Sequence, residues 1–360
     1  MIRRIVPLAI LLAAACAREA KVQEPATVRH EPATVENGGS KLRITGPYAH
    51  ENLAVYLLHS DSVDNSDFIT LDEGLKDGSV TVTEKGEGEV NELLLENKSP
   101  KALFVQEGDR VKGGKQDRIV GLSFVVPANS GQRPIPSFCV EQGRWSGQGM
   151  AGADFGSGAK DLAPRGVRAA AKADKDQSEV WQQVAENKRQ AEGQLGAENT
   201  NSSLNETMDS AKAKKAIEPY EKWLSAVLVG KPDAVGVAFA LNGRIEEVNI
   251  YPGRKLLAKL YPRLLGSYAL AAALEKTAAP APAAADVAAF MQESREKSKR
   301  TEQLAENSVT VRDLEANVQC VTEYQGKSVH SQWMRRDEKP ASPPGSEQRQ
   351  QMEQNAPPRR

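Results

Sequence analysis

The segment Glu107–Trp145 concentrates charged side chains beside glycine turns. Lys115 and Arg118 follow Gly113-Gly114 closely, and Arg144 lies near the end of the segment. Backbone N–H groups at glycine turns, together with ammonium and guanidinium groups, suit the binding of phosphate or carboxylate. The glycines lack the GxxxxGK[ST] spacing of a P-loop. We therefore predict a site for a small anionic ligand, with these candidate binding residues: Lys115, Gln116, Arg118, Glu141, Arg144 and Trp145.

The same charges also allow a structural interpretation. Arg118 and Arg144 could pair with nearby carboxylates and lock the turns, because ion-pair networks commonly explain such clusters. The carboxylates could instead hold a divalent cation or perform acid–base catalysis, although their spacing matches no EF-hand loop. The histidines form no HExxH or HxH motif, so we predict no metal site, and the pattern indicates no particular cofactor. The carboxylates concerned are Glu107, Asp109, Asp117 and Glu141.

Cys139 and Cys320 are the cysteines that follow Cys16 in the chain. Each lies in an apolar run, so the pair could form a disulfide in an oxidising compartment or remain as two buried thiols. Cys139 matches no cysteine-protease motif, and the sequence contains no serine nucleophile elbow. Covalent catalysis therefore has no sequence support at these positions.

The elements around the candidate site are predicted to be short strands followed by helices. Period-two alternation in Ser79–Thr83, and short apolar runs bounded by turn residues before and after it, indicate strands. Asn242-Gly243 between two strand-like runs predicts a tight hairpin. Ile217–Val229 and Leu256–Leu274 have helical apolar spacing. The predicted fold class is α+β, a mainly antiparallel sheet with helices from the C-terminal half packed on it.

Composition limits the classes of protein that fit. The chain has 360 residues, with 47 basic and 48 acidic side chains, so its net charge of −1 gives no general attraction to nucleic acid. Hydrophobic residues make up 39% and aromatic residues only 5%. Much of the hydrophobic fraction is alanine, which predicts one core of moderate size with low-complexity segments around it.

We predict a single domain over residues 41–335, preceded by a flexible tether over residues 17–40. The tether contains a duplicated heptad that begins at Glu24 and again at Glu31. Within the domain, residues 146–172 are predicted to be a mobile Gly/Ala loop and residues 277–286 a Pro/Ala linker. Residues 336–360, rich in Pro, Gln, Glu and Arg, are predicted to be a disordered tail.

The first 16 residues have the pattern of an export signal. Arg3 and Arg4 precede a short apolar run, and small residues lead directly to Cys16. This resembles a bacterial lipoprotein signal, in which the cysteine is acylated, although Ala13 stands where leucine is usual. The expected location is therefore the bacterial cell envelope, with membrane contact through the lipid anchor only. The alternative is ordinary signal-peptide cleavage, which would give a soluble periplasmic or secreted protein.

Several motifs in the chain resemble one protein family. The most specific matches lie at Glu107-Gly108, Gly113–Arg118, Val126–Ala128, Ile135-Pro136 and Cys139–Trp145. They are similar to those of the ARG and rhodanese-phosphatase-superfamily-associated protein domain family (ARPP). Looser matches extend the resemblance to roughly residues 50–335; they lie at Val167-Arg168, Gln177–Trp181, Val235-Gly236, Asn242-Gly243 and Tyr261–Tyr268.

The family name implies genomic association with ADP-ribosylglycohydrolases and with rhodanese or phosphatase proteins. It implies no established activity and supplies no catalytic residues. Three functions remain open at this stage. The first is an exported module that binds a small anionic molecule, nucleotide-like or ADP-ribose-like. The others are a metal-assisted hydrolase and a non-catalytic envelope lipoprotein that binds another protein.

Overall fold

The computed structural model describes residues 31–336, apart from 63, 65, 87–90, 142–153, 157–159, 198–202 and 305. The strands, in chain order, are β1 (Ala33–Asn37), β2 (Ser40–His50), β3 (Leu53–Ser60), β4 (Ile69–Thr70), β5 (Val80–Glu84), β6 (Glu92–Asn97), β7 (Leu103–Val105), β8 (Arg110–Gly113), β9 (Arg118–Val120), β10 (Phe124–Val126), β11 (Ser130–Cys139), β12 (Asp154–Gly156), β13 (Ala234–Leu241), β14 (Arg244–Ile250), β15 (Glu296–Leu304), β16 (Asn307–Leu314), β17 (Asn317–Tyr324) and β18 (Lys327–Arg335).

Helices occupy mainly the stretch between β12 and β15. The α-helices are α1 (Leu71–Asp77), α2 (Arg165–Ala169), α3 (Gln177–Leu195), α4 (Leu204–Asp209), α5 (Ala211–Leu224), α6 (Arg254–Leu274) and α7 (Ala284–Met291). A π-helical turn, Ala170–Asp174, extends α2, and a 3-10 turn, Ser225–Leu228, extends α5. Among the helices that the structure describes, none is long and apolar enough to cross a lipid bilayer.

A nine-stranded antiparallel sheet forms the larger part of the fold. Its strand order is β1-β2-β3-β13-β14-β18-β17-β16-β15, so strands from the two ends of the domain lie on either side of the central β13–β14 hairpin. Asn242 and Gly243 turn this hairpin with φ angles of 51° and 78°. Positive φ at both central residues is the geometry of a type I′ turn. The predicted hairpin is confirmed.

A small closed barrel, with strand order β11-β6-β5-β12-β8-β9, forms the second layer. A three-stranded sheet, β10-β7-β4, lies beside it. The side-chain amide of Asn307 on β16 fastens this part to the large sheet: its Nδ2 donates to the Val125 carbonyl at 2.7 Å, and its Oδ1 accepts from the Val125 N–H at 2.9 Å. One asparagine thus takes the place of a neighbouring strand along β10.

Each face of the large sheet is covered by apolar side chains. Leu53, Val55 and Leu57 of β3 point to the side of α5 and α6, whereas Ala54, Tyr56 and Leu58 point to α7. This alternation follows from the period of two in a strand, and both sets are buried because both faces carry helices. The prediction of an α+β fold with a mainly antiparallel sheet is confirmed.

Three of the predicted boundaries need correction. Ala33–Asn37 pairs with β2, so the last part of the predicted tether belongs to the sheet. Val167, Arg168 and Lys172 are buried in helical turns, so the predicted mobile loop does not extend to residue 172. The predicted linker ends where α7 begins at Ala284. Residues 17–30 and 337–360 lie outside the described residues.

Candidate functional site

A groove with a volume of about 340 Å³ opens at one end of the small barrel, and one of the predicted binding residues, Glu141, lines it. Four separate segments line it: β8, the turn before β9, the second residue after β11, and α4 with its flanking residues. We call it the acidic groove; its lining residues are Lys112, Asp117, Glu141, Ser203, Asn205, Glu206, Asp209 and Ser210.

Asp117 holds the turn side of the acidic groove in place. Its Oδ1 accepts from the Gly113 N–H at 3.0 Å, and its Oδ2 accepts from Asn205 Nδ2 at 2.7 Å and from Ser203 Oγ at 3.5 Å. Its own N–H donates to Glu141 Oε2 at 3.3 Å. The glycine turn, α4 and the segment after β11 are therefore joined through one residue, by its carboxylate and its backbone N–H.

Arg110 supports the opposite wall of the acidic groove from inside the protein. The side chain is fully buried, and its NH1 donates to Asn205 Oδ1 at 2.5 Å while NH2 donates to Asp209 Oδ1 at 3.2 Å. Lys112 pairs with the second oxygen of Asp209. Because these side chains fix one another, the groove has its shape before any ligand arrives, which lowers the entropic cost of binding.

The lining carries more negative than positive charge. Asp117, Glu141, Glu206 and Asp209 face the cavity, against the single ammonium group of Lys112. A carboxylate accepts hydrogen bonds and does not donate them when ionised. Such a lining suits a ligand that presents hydroxyl or amino groups. Within the described ranges no group of three His, Cys, Asp or Glu side chains is placed to hold a metal ion.

Two of the predicted cations, Lys115 and Arg118, do not line this groove. Arg118 is completely buried; its NH1 donates to the Gln116 carbonyl at 2.7 Å, and its NH2 lies 3.8 Å from Glu84 Oε2. Gln116 is also buried, and the Lys115 N–H donates to Glu84 Oε1 at 2.7 Å. Of the six predicted ligand-binding residues, Glu141 lines the groove. The structure supports a turn-locking role for Arg118, but through the Gln116 carbonyl and Glu84 in place of the predicted carboxylates.

Arg144 and Trp145, two further candidates, lie outside the described residues, as does the predicted acylation site Cys16. Cys139 and Cys320 are buried on β11 and β17 and are not joined by a disulfide. Of the two alternatives that the sequence left open, the structure has the two buried thiols. Burial raises the pKa of both thiols, that of Cys320 to about 11, which makes them poor nucleophiles.

A second cluster of charges, missed by the sequence analysis, lies between the barrel and the large sheet. We call it the central charge network; its members are Glu107, Arg168, Lys172, Glu247 and Gln332, all buried. Arg168 NH1 donates to Glu107 Oε1 at 2.7 Å, and its NH2 donates to Glu247 Oε2 at 2.5 Å. The charges of the two carboxylates and the two cations cancel, because buried charges must be paired to be stable.

Gln332 and Tyr268 donate further hydrogen bonds to the carboxylates of the network, and Lys172 Nζ lies 3.4 Å from Glu107 Oε2. Gln332 Nε2 donates to Glu107 Oε1 at 2.6 Å and to Glu247 Oε1 at 2.8 Å, and Lys172 donates to Gln332 Oε1. Tyr268 Oη donates to Glu247 Oε2 at 2.6 Å. Burial opposes ionisation of Glu247, but Arg168 and the donors around it lower its pKa to about 2. The network is enclosed and stabilises the fold; Glu107 is therefore no candidate for solvent-accessible catalysis.

The architecture defines an α+β domain in which a nine-stranded antiparallel sheet and a small barrel share a buried charge network. A family model for the ARG and Rhodanese-Phosphatase-superfamily-associated Protein domain matches residues 41–334, and the chain belongs to this family. Comparison with curated proteins gave no match, and comparison with solved structures gave none either.

Proposed function

We propose that this protein is a binding module whose acidic groove takes a small ligand rich in hydroxyl groups. Of the nucleotide-like ligands expected from the sequence, the ribose of a nucleoside is the part that fits this groove. The observation that carries the proposal is the acceptor-rich lining of a preformed cavity of about 340 Å³. Carboxylates commonly accept hydrogen bonds from ribose hydroxyl groups. A diphosphate would meet four carboxylates and one lysine, so recognition through the sugar is favoured over recognition through phosphate.

Binding is favoured over hydrolysis because the carboxylates already have partners. Asp117 accepts from Gly113, Asn205 and Ser203, and Asp209 is paired with Arg110 and Lys112. Such fixed carboxylates hold their acceptor oxygen atoms in a set geometry, which suits the recognition of a ligand.

The proposal is tested by calorimetric titration of the full chain with adenosine, ADP-ribose and putrescine. We expect adenosine and ADP-ribose to bind with similar affinity, and Glu206→Gln to weaken both about tenfold, because a hydrogen bond to a charged group contributes about 1.5 kcal/mol. Glu192→Gln, on the exposed face of α3, is the matched control and should bind as the original chain does. Binding of putrescine alone, of ADP-ribose alone, or of none of them would contradict the proposal.

We also propose that the chain is exported and anchored to the bacterial envelope by a lipid on Cys16. The support is the order of Arg3 and Arg4, an apolar run and small residues before Cys16. When the full gene is expressed in a bacterium fed radiolabelled palmitate, we expect the label on the protein and its recovery in the membrane fraction. Cys16→Ser should abolish both, whereas Cys139→Ser should abolish neither. Label that persists in Cys16→Ser would refute the anchor.

A further inference from the structure

Three side chains at one end of β2 and β3 form a hydrogen-bonded relay. Thr45 Oγ1 lies 2.8 Å from His59 Nε2, and His59 Nδ1 lies 2.9 Å from Asp233 Oδ1. A hydroxyl, an imidazole and a carboxylate in this order are the arrangement by which a hydroxyl nucleophile is activated, whatever the fold that carries it. The set lies apart from the acidic groove, which none of the three residues lines.

The strands position the relay. β2 and β3 are antiparallel neighbours in which Arg43 faces His59 and Thr45 faces Leu57, so His59 and Thr45 are diagonal neighbours. The pairing is interrupted by a register shift directly after Thr45. Such bulges are frequent beside functional sites because they redirect a side chain. Asp233 comes from the turn before β13, which brings the third member from a distant part of the sequence.

The protonation state matches a general base. Because the Asp233 carboxylate only accepts, Nδ1 carries the ring proton, which leaves Nε2 free to accept from the Thr45 hydroxyl. Burial lowers the pKa of His59, Asp233 raises it, and the nearby cations Arg43 and Lys231 lower it, with a net decrease. At neutral pH the imidazole is therefore uncharged and able to take a proton.

We propose that Thr45, His59 and Asp233 form an esterase-like site that takes an acyl group from a small carboxylic ester. Thr45 is partly exposed, and Asp233 and Arg43 keep 41% and 48% of their side-chain surface accessible, so an ester can approach the hydroxyl from solvent. Arg43 points to the same face of β2 as Thr45 and donates one N–H to Asp233 Oδ2 at 2.9 Å. Its positive charge stabilises the oxyanion that forms on the substrate.

The chemical step balances without any group beyond the ester and water. The Thr45 oxygen forms a bond to the carbonyl carbon while its proton passes to His59 Nε2. The bond from that carbon to the alkoxy oxygen then breaks, and the alkoxide leaves as an alcohol with the proton from His59. Water attacks the acyl-threonine in the same way, His59 returns the proton to the Thr45 oxygen, and a carboxylic acid leaves.

The test is incubation of the full chain with p-nitrophenyl acetate, followed by absorbance and by mass spectrometry of the digested protein. We expect a burst of p-nitrophenolate and an acetyl group on the peptide that contains Thr45. Thr45→Ser should retain both, Thr45→Ala should lose both, and Asp233→Asn should slow the burst at least tenfold because the imidazole proton is no longer held on Nδ1. The burst rate should rise with pH with a midpoint below about 6.5, the ordinary histidine pKa.

Thr310→Ala is the matched control, since the Thr310 hydroxyl on β16 lies 3.2 Å from the Thr301 hydroxyl and belongs to a different part of the sheet. It should behave as the original chain does. Circular dichroism of each variant separates loss of the hydroxyl from loss of the fold. The proposal would be overturned by equal bursts in the original chain and in Thr45→Ala, or by the absence of acetylated Thr45 in the original chain. The three side chains would then have only a structural role, as hydrogen bonds between strands.

Discussion

Replacing Arg168 by methionine is expected to lower the free energy of unfolding by about 3–5 kcal/mol, the cost of removing one partner from a buried ion pair. Methionine fills much of the volume but leaves Glu107 and Glu247 without the guanidinium that holds them at 2.7 and 2.5 Å. The residue is completely buried, so water cannot take its place without opening the interface between barrel and sheet. Urea unfolding followed by tryptophan fluorescence measures the loss.

The matched control for Arg168 is Arg189→Met on α3. Arg189 also pairs with a glutamate, Glu186, at 2.5 Å, but 72% of its side-chain surface is exposed. A solvent-exposed pair of this kind contributes little to stability, because water screens the two charges. Equal effects of the two substitutions would show that burial of the central charge network has no special energetic role.

The second large effect concerns pH and His330. Burial lowers the pKa of this ring to about 3, with Lys172 and Arg168 acting in the same direction and Glu107 and Glu247 opposing them. His330 Nε2 donates to Asn249 Oδ1 at 2.9 Å, and the ring stacks on Tyr251. The folded state therefore holds the imidazole neutral well below pH 6.5, whereas the unfolded chain takes up a proton near that pH.

The sign of the effect follows from this difference. Below pH 6.5 the unfolded state binds one more proton than the folded state at this site, so acid stabilises the unfolded chain by about 1.4 kcal/mol per pH unit. Stability contributed by His330 is present above pH 6.5 and is lost as the pH falls towards about 3. Between pH 8 and pH 5 the expected loss is about 2 kcal/mol.

Urea unfolding of the original chain and of His330→Gln at several pH values measures this contribution. The variant has no titrating ring, so the difference in stability between the two proteins should narrow by about 2 kcal/mol from pH 8 to pH 5. His50→Gln is the comparison variant. The pKa of His50 is also lowered by burial, but that ring is partly exposed and Glu51 opposes the decrease. A difference that stays constant with pH in His330→Gln would contradict a neutral, buried ring.

Local patterns in the sequence predicted the parts of the fold that depend on neighbouring residues. The alternation in β5, the helical spacing in α5 and α6, and the Asn242-Gly243 turn are all confirmed, because each reflects local backbone geometry. The position of the site was predicted only in part. Glu141 lines the acidic groove, but Arg118, which the sequence placed beside it, points into the protein and supports the turn.

The central charge network could not be predicted because its members are far apart in the sequence. Arg168 and Lys172 lie in an alanine-rich segment whose composition indicated a loop, and nothing nearby pointed to their partners. Glu247 and Asn249 occupy alternate positions in β14, a pattern that is typical of a solvent-facing side. The small barrel covers that side, and only the tertiary structure reveals this.

The last polar member of the central charge network, Gln332, lies on β18, close to the end of the domain. During synthesis the ribosome must therefore release nearly the whole domain before Glu107 and Glu247 acquire their common amide donor. Until then the charged side chains can pair with one another, but the amide that bridges Glu107 and Glu247 is missing. Final closure of the barrel on the large sheet is therefore expected to follow the synthesis of β18.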